Sequence, residues 1–169
     1  RFSPDDSLTR AMLAVILWRI EGSQDASRTV TFTDTSANAW YADGLSWCAE
    51  KGLFAGYPNG SFGPDDAVTR EQLAIVFFRY AEKTGAVPSG QVGHTTFKNG
   101  CPWAADACDW ANEHGLFTDV IGTLDLCAPA SRAEIAYLLD QYFPSEASSS
   151  ALTENSFDSM GYLLYTPAN

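Results

Sequence analysis

The chain has 169 residues, with 10 Lys and Arg against 21 Asp and Glu, so its formal charge is −11 and phosphate backbones repel it, which excludes a nucleic-acid partner. With 46% hydrophobic and 13% aromatic residues it can bury a core and is too apolar to be a disordered tail. No run approaches the ~20 apolar residues of a membrane helix and no leader pattern opens the chain, so a soluble protein is expected, with any export signal outside these residues.

In chain order, the first predicted element is a helix after Thr9, with Leu13, Ile16, Leu17 and Ile20 at i, i+3, i+4 and i+7, stopping at Gly22. Thr9 is its N-cap, but Met12 at the N3 place leaves half a capping box. Residues 23–34 read as a connector. A second helix carries Trp40, Gly44 and Trp47 on one face and ends at Gly52 as a left-handed cap. A small residue between two indoles predicts close packing against another helix. Asn59-Gly60 then marks a tight turn, with a short hairpin expected around it. The third helix follows Thr69, which forms a full capping box with Gln72, carries the stripe Leu73, Val76, Phe77 and Tyr80, and stops at Gly85. After a connector at 86–99, Trp103, Ala107 and Trp110 repeat the second helix and Gly115 its cap. Ser131 with Glu134 opens a last helix bearing Ile135, Leu138, Leu139 and Tyr142, with Pro144 as its stop.

This order is a repeat. Residues 2–19 match residues 62–79 without a gap, a looser copy runs from Leu124 to Tyr142, and residues 40–54 align with 103–117. Three copies of one apolar stripe predict three helices sharing a core in a mainly helical, all-α fold. Residues 1–22 are the second half of repeat one, 32–85 repeat two and 97–143 repeat three.

The cysteines are less regular. Cys101, Cys108 and Cys127 cluster in sequence and Cys48 stands alone, with no Cys-x-x-Cys pair and with His94 and His114 not at i, i+4, so no metal site is expected. A disulfide within residues 101–127 fits an extracellular protein, its pairing left open, while Cys48 reads as a small core residue.

The order Phe32, Asp34, Trp40, Ala42, Gly52, Gly56, Gly60, Phe62, Pro64 and Thr69-Arg70-Glu71 resembles the S-layer homology domain, whose repeats come in threes. The resemblance covers residues 1–143. It implies a pseudo-threefold spindle with a central bundle of three Arg-bearing helices, Trp-bearing helices as prongs, and short hairpin-like loops. It also implies a non-catalytic anchor, extracellular on the cell wall or S-layer of a bacterium, that binds anionic, pyruvylated secondary cell-wall polysaccharide. Carried onto this sequence, the Thr-Arg-Ala-Glu motif puts Arg10, Arg70 and Arg132 in the ligand grooves. A planar guanidinium suits the pyruvate carboxylate, and the first position of a helix offers free N–H groups and the positive end of its dipole, while adding little to the helix itself. Trp40 and Trp103 would add apolar faces for sugar rings. The motif departs from the pattern: it reads Thr-Arg-Ala-Met, Thr-Arg-Glu-Gln and Ser-Arg-Ala-Glu in the three repeats. Repeat three also lacks the Gly-x-Phe-x-Pro run and has Asn99 where repeat two has Asp34. These departures keep a second reading open, a structural self-association module that has lost the carbohydrate.

No nucleophile elbow, P-loop, dinucleotide fingerprint or His-Glu-x-x-His helix is present, so neither an enzyme nor a cofactor is expected. Asp5-Asp6 and Asp65-Asp66 occupy the same repeat position before a helix start, where negative charge is stabilising, and read as loop features rather than a catalytic pair. One expectation concerns the ends. Gly161, Pro167, Phe2 and Pro4 read across the termini in the register of Gly52, Pro58, Phe62 and Pro64. Residues 145–151 would then be a linker, and 152–169 would supply the first half of repeat one in permuted order.

Overall fold

The structure, a computed structural model, describes residues 6–85, 96–117 and 123–142. The expected linker at 145–151, the tail at 152–169 and the stop at Pro144 lie outside them. The fold is mainly helical, with α1 at Arg10–Ile20, α2 at Ala42–Glu50, α3 at Arg70–Thr84, α4 at Ala105–Glu113 and α5 at Arg132–Tyr142. Two three-residue strands, β1 at Thr96–Lys98 and β2 at Thr123–Asp125, pair in parallel. The described residues divide into two compact units, one of residues 8–68 and one that joins residues 6–7 with the described residues from 69 onward.

In the unit of residues 8–68, α1 packs against α2. Leu13, Ile16 and Leu17 of the predicted stripe are buried, and so are Ala14 and Val15 beside them. The reason is a close approach at Gly44, where an added Cβ would lie 2.9 Å from the Val15 Cα, so α1 is covered on a second side. Cys48 is fully buried, its Sγ donating to the Ala14 carbonyl, and burial pushes its thiol far above the usual range. The connector before α2 is held by side chains instead of a strand: Ser46 Oγ accepts the Val30 N–H at 2.9 Å and Glu50 accepts from Ser27. Around Asn59-Gly60 a turn forms, with Tyr57 N–H donating to the Ser61 carbonyl and Gly60 N–H to the Tyr57 carbonyl. The expected hairpin does not extend into strands, because Asn59 Oδ1 takes both the backbone N–H and the hydroxyl of Ser61.

In the other unit α3 packs against α4, and Leu73, Val76, Phe77 and Tyr80 are buried as the stripe predicts. Ile135, Leu138 and Leu139 of α5 are buried too. Thr69 and Gln72 make the reciprocal capping box of α3. Ser131 and Glu134 do the same for α5, with Ser131 N–H donating to Glu134 Oε2 and Glu134 N–H to Ser131 Oγ. Thr9 caps α1 by accepting the Met12 N–H, without the return bond that Met12 cannot make. Gly52 and Gly115 both have φ of 68°, the left-handed conformation just beyond α2 and α4.

Candidate functional site

Each arginine of the repeat is the first residue of its helix, yet its backbone N–H is already satisfied. Arg10 N–H donates to the Asp66 carbonyl at 3.0 Å, Arg70 N–H to Ala128 at 3.1 Å and Arg132 N–H to Asp6 at 2.9 Å. Each acceptor stands four residues before a repeat-equivalent arginine. The next N–H is also used, with Ala11 donating to Pro64 and Glu71 to Leu126. The expectation of free N–H groups for an anion is thereby corrected: extended segments bridged as Ser7 to Ser131, Thr9 to Ala67 and Thr69 to Pro129 occupy them. The second aspartate of each pair, Asp6 and Asp66, contributes here through its carbonyl.

Arg10 is 4% exposed. Its Nε donates to the Phe62 carbonyl at 2.7 Å and its Nη2 to the Ala55 carbonyl at 2.8 Å. The guanidinium carbon also lies 4.6 Å from the ring centres of Tyr57 and Phe62 and 5.2 Å from that of Phe54. Burial lowers its pKa, and the nearby Tyr57, Asp66 and Asp34 oppose that shift. Arg10 thus organises the loop from Phe54 to Phe62 and is turned inward, whereas the groove role expected for it needs an outward guanidinium.

Arg70 is differently engaged. Its Nε and Nη2 grip the two carboxylate oxygens of Glu134 at 2.7 and 3.1 Å, and Nη1 reaches the Asp125 carbonyl at 3.3 Å. The acidic fourth residue kept in repeat three therefore serves two ends at once, closing the α5 capping box and holding an arginine 62 positions before its own. A first-position arginine that ties two helix starts together does far more than its helix alone requires, which corrects the expectation that it adds little. Arg132 is half-buried at the start of α5.

The indoles divide. Trp47 is buried in α2, whereas Trp40 precedes that helix and is 53% exposed, its ring meeting Tyr41 edge-on at 5.4 Å. Trp103 stands in a 3-10 turn at Pro102–Ala104 and is 63% exposed. Trp40 and Trp103 are thus not on a helical face with Gly44 or Ala107. They are the two large apolar side chains left open to solvent among the described residues. In α4, Trp110 stacks on His114 at 4.9 Å and meets Phe78 of α3 at 5.6 Å.

Two carboxylates that the sequence marks only as pattern positions, with no role assigned, hold the fold together. Asp34 accepts the N–H groups of Phe62 and Gly63, both at 2.7 Å, and the Phe62 bond above all holds its carboxyl below the usual range. The spacing Phe32 to Asp34 was the available signal. Glu71 is buried and accepts the Cys101 N–H at 3.0 Å, a contact across 30 positions that nothing local announces.

The family model of the S-layer homology domain matches residues 31–74. The chain is 34% identical over 102 residues to a cellulosome-anchoring protein of Acetivibrio thermocellus, covering 58% of this chain and 23% of that protein. It is 30% identical over 71 residues to an S-layer protein of Bacillus licheniformis, 42% of this chain and 8% of that one. An endoglucanase of a Bacillus species is 33% identical over 109 residues, 63% of this chain and 11% of the enzyme. The chain thus spans less than a quarter of the length of each of these relatives. Among the described residues no helix is long and apolar enough to cross a membrane.

Proposed function

We propose that this module, whose residues 31–74 match the S-layer homology domain, is a non-catalytic anchor that holds a longer protein on a bacterial cell wall by binding anionic, pyruvylated wall polysaccharide. Relatives named as a cellulosome-anchoring protein, an endoglucanase and an S-layer protein each match part of this chain over a small share of their own length, which is the pattern of an attachment module joined to different passengers. The observation that carries the reading is the exposure of Trp40 and Trp103, two indoles at equivalent repeat positions kept in water by a fold that buries Trp47. An exposed flat apolar ring suits the face of a sugar. Arg70 would meet a pyruvate carboxylate by exchanging it for Glu134, and Arg132 by the equivalent position in repeat three. Arg10 would act indirectly, by shaping the loop. In this reading the three repeats follow one plan, and the same helix-start hydrogen bond at Arg10, Arg70 and Arg132 supports it.

Sedimentation with purified wall sacculi tests the proposal. Binding is expected to disappear when the pyruvylated polymer is chemically removed, and to weaken about tenfold or more in a Trp40→Ala, Trp103→Ala variant that melts like the parent chain. Undiminished binding to stripped sacculi would overturn it.

A second reading, a self-association module without carbohydrate binding, is favoured by one specific finding: the guanidinium groups of Arg10 and Arg70 are already committed to acceptors of this chain. It predicts concentration-dependent assembly in sedimentation velocity and no retention on sacculi.

A further inference from the structure

We propose that Cys101 and Cys127 form a disulfide that locks the base of repeat three, the inference resting on the extracellular placement of the module. The Sγ atoms of both cysteines and a carboxylate oxygen of Glu71 all lie within 4.8 Å of one another. A disulfide needs about 2.05 Å between sulfurs, and one change of χ1 rotamer moves an Sγ by about 3 Å, the order of the gap to be closed. The backbones are already side by side. β1 and β2 pair Lys98 with Asp125, Leu126 N–H donates to the Lys98 carbonyl, and a Cβ at Gly100 would come within 2.8 Å of Leu126.

Cys108, the third candidate, sits on α4 and is buried, outside this cluster. Burial pushes its thiol up to about 11, so it is a poor competitor for exchange. Cys127 is exposed and meets the oxidant first. Its own thiol is also shifted upward, by desolvation and then by Glu71, which lowers its thiolate fraction without altering which partner is within reach.

The substitution pattern explains why repeat three would need the bond. In repeat two the Asp34 carboxylate fastens its segment to the Phe62 loop with two hydrogen bonds of 2.7 Å. In repeat three Asn99 occupies that place and donates instead to Asp125, an exposed contact. Cys101 lies two residues after Asn99, and Cys127 occupies the position of Asp65 in repeat two, so the sulfur bridge would join the same two segments covalently. The chemistry is exchange with a small or protein disulfide. The Cys127 thiolate attacks it and releases one thiol, then the Cys101 thiolate displaces the second. The chain loses two protons and two electrons, and the oxidant is reduced to two thiols.

The full chain is equilibrated with oxidised glutathione at pH 8, alkylated under native conditions, then digested without reduction and mapped by mass. The expected result is a cross-linked peptide pair containing Cys101 and Cys127, lighter by two hydrogens than the reduced pair, with Cys48 and Cys108 alkylated only after unfolding. Reduction should lower the melting temperature by about 5–10 °C in the parent chain and leave a Cys101→Ser, Cys127→Ser variant unmoved. A bridge that includes Cys108, free Cys101 and Cys127 after equilibration, or a stoichiometric metal ion retained on the two thiolates and Glu71 would each overturn the proposal. Loss of sacculus binding with the disulfide intact would sink the anchoring function alone.

Discussion

The Arg70 guanidinium and the Glu134 carboxylate face each other as a fork, with Nε to Oε1 at 2.7 Å and Nη2 to Oε2 at 3.1 Å, and both side chains are about four-fifths shielded from water. Paired charges in this geometry are stronger than a surface ion pair, because two parallel charge-assisted bonds share one desolvation cost. Arg70→Ala is therefore expected to lower stability by about 1.5–3 kcal/mol. In urea unfolding, the Arg70→Ala, Glu134→Ala double variant should lose clearly less than the sum of the singles, by at least about 0.5 kcal/mol. Strict additivity would show that the pair contributes nothing of its own.

Arg10→Lys tests the inward arginine. An ammonium keeps the charge but cannot reach the Phe62 and Ala55 carbonyls as a planar fork while lying near the Tyr57 and Phe62 rings. Stability should fall by about 2–3 kcal/mol through the lost charged hydrogen bond and stacking. The near-ultraviolet circular dichroism of the aromatic loop should change with it. A silent Arg10→Lys substitution would mean that charge alone is needed there.

Gly44→Ala opposes two effects of known size. Alanine improves an exposed helix by roughly 1 kcal/mol. Here the new methyl would meet the Val15 Cα at 2.9 Å, and overpacking at a tight helix crossing costs about 1–3 kcal/mol. Packing should win, and thermal unfolding should shift downward. A raised melting temperature would show that α1 and α2 can separate freely.

Asp34 sets a pH dependence. Its folded pKa lies below the ordinary 3.8, held there chiefly by the Phe62 N–H. A group lowered on folding contributes its full stability above its unfolded pKa and loses it as pH falls through the folded value. The stability difference between the parent chain and Asp34→Asn should thus be constant from pH 5 to 7 and shrink below about pH 4. Urea midpoints at pH 7 and pH 3 measure it, and an equal difference at both would remove Asp34 from the acid transition.

Local order was legible in the sequence because its causes are short in range. Thr69 with Gln72 and Ser131 with Glu134 cap their helices three residues away, and the apolar stripes recur within two turns, so helix starts and buried faces could be read directly. The resemblance to the S-layer homology domain was legible for the same reason, in the spacing from Phe32 to Arg70, and the family model matches residues 31–74.

Only the tertiary structure decided what the arginines and indoles do. Arg10 turns inward because its acceptors at Ala55 and Phe62 are 45 and 52 positions away. Arg70 is held by a carboxylate 64 positions away. Trp40 and Trp47 are the same residue type seven positions apart, yet one is open to water and the other buried, because α2 begins only at Ala42. Periodicity assumed a helix through both. Side-chain chemistry states what a residue can bind, but the chain's return after tens of residues determines which acceptor reaches it first.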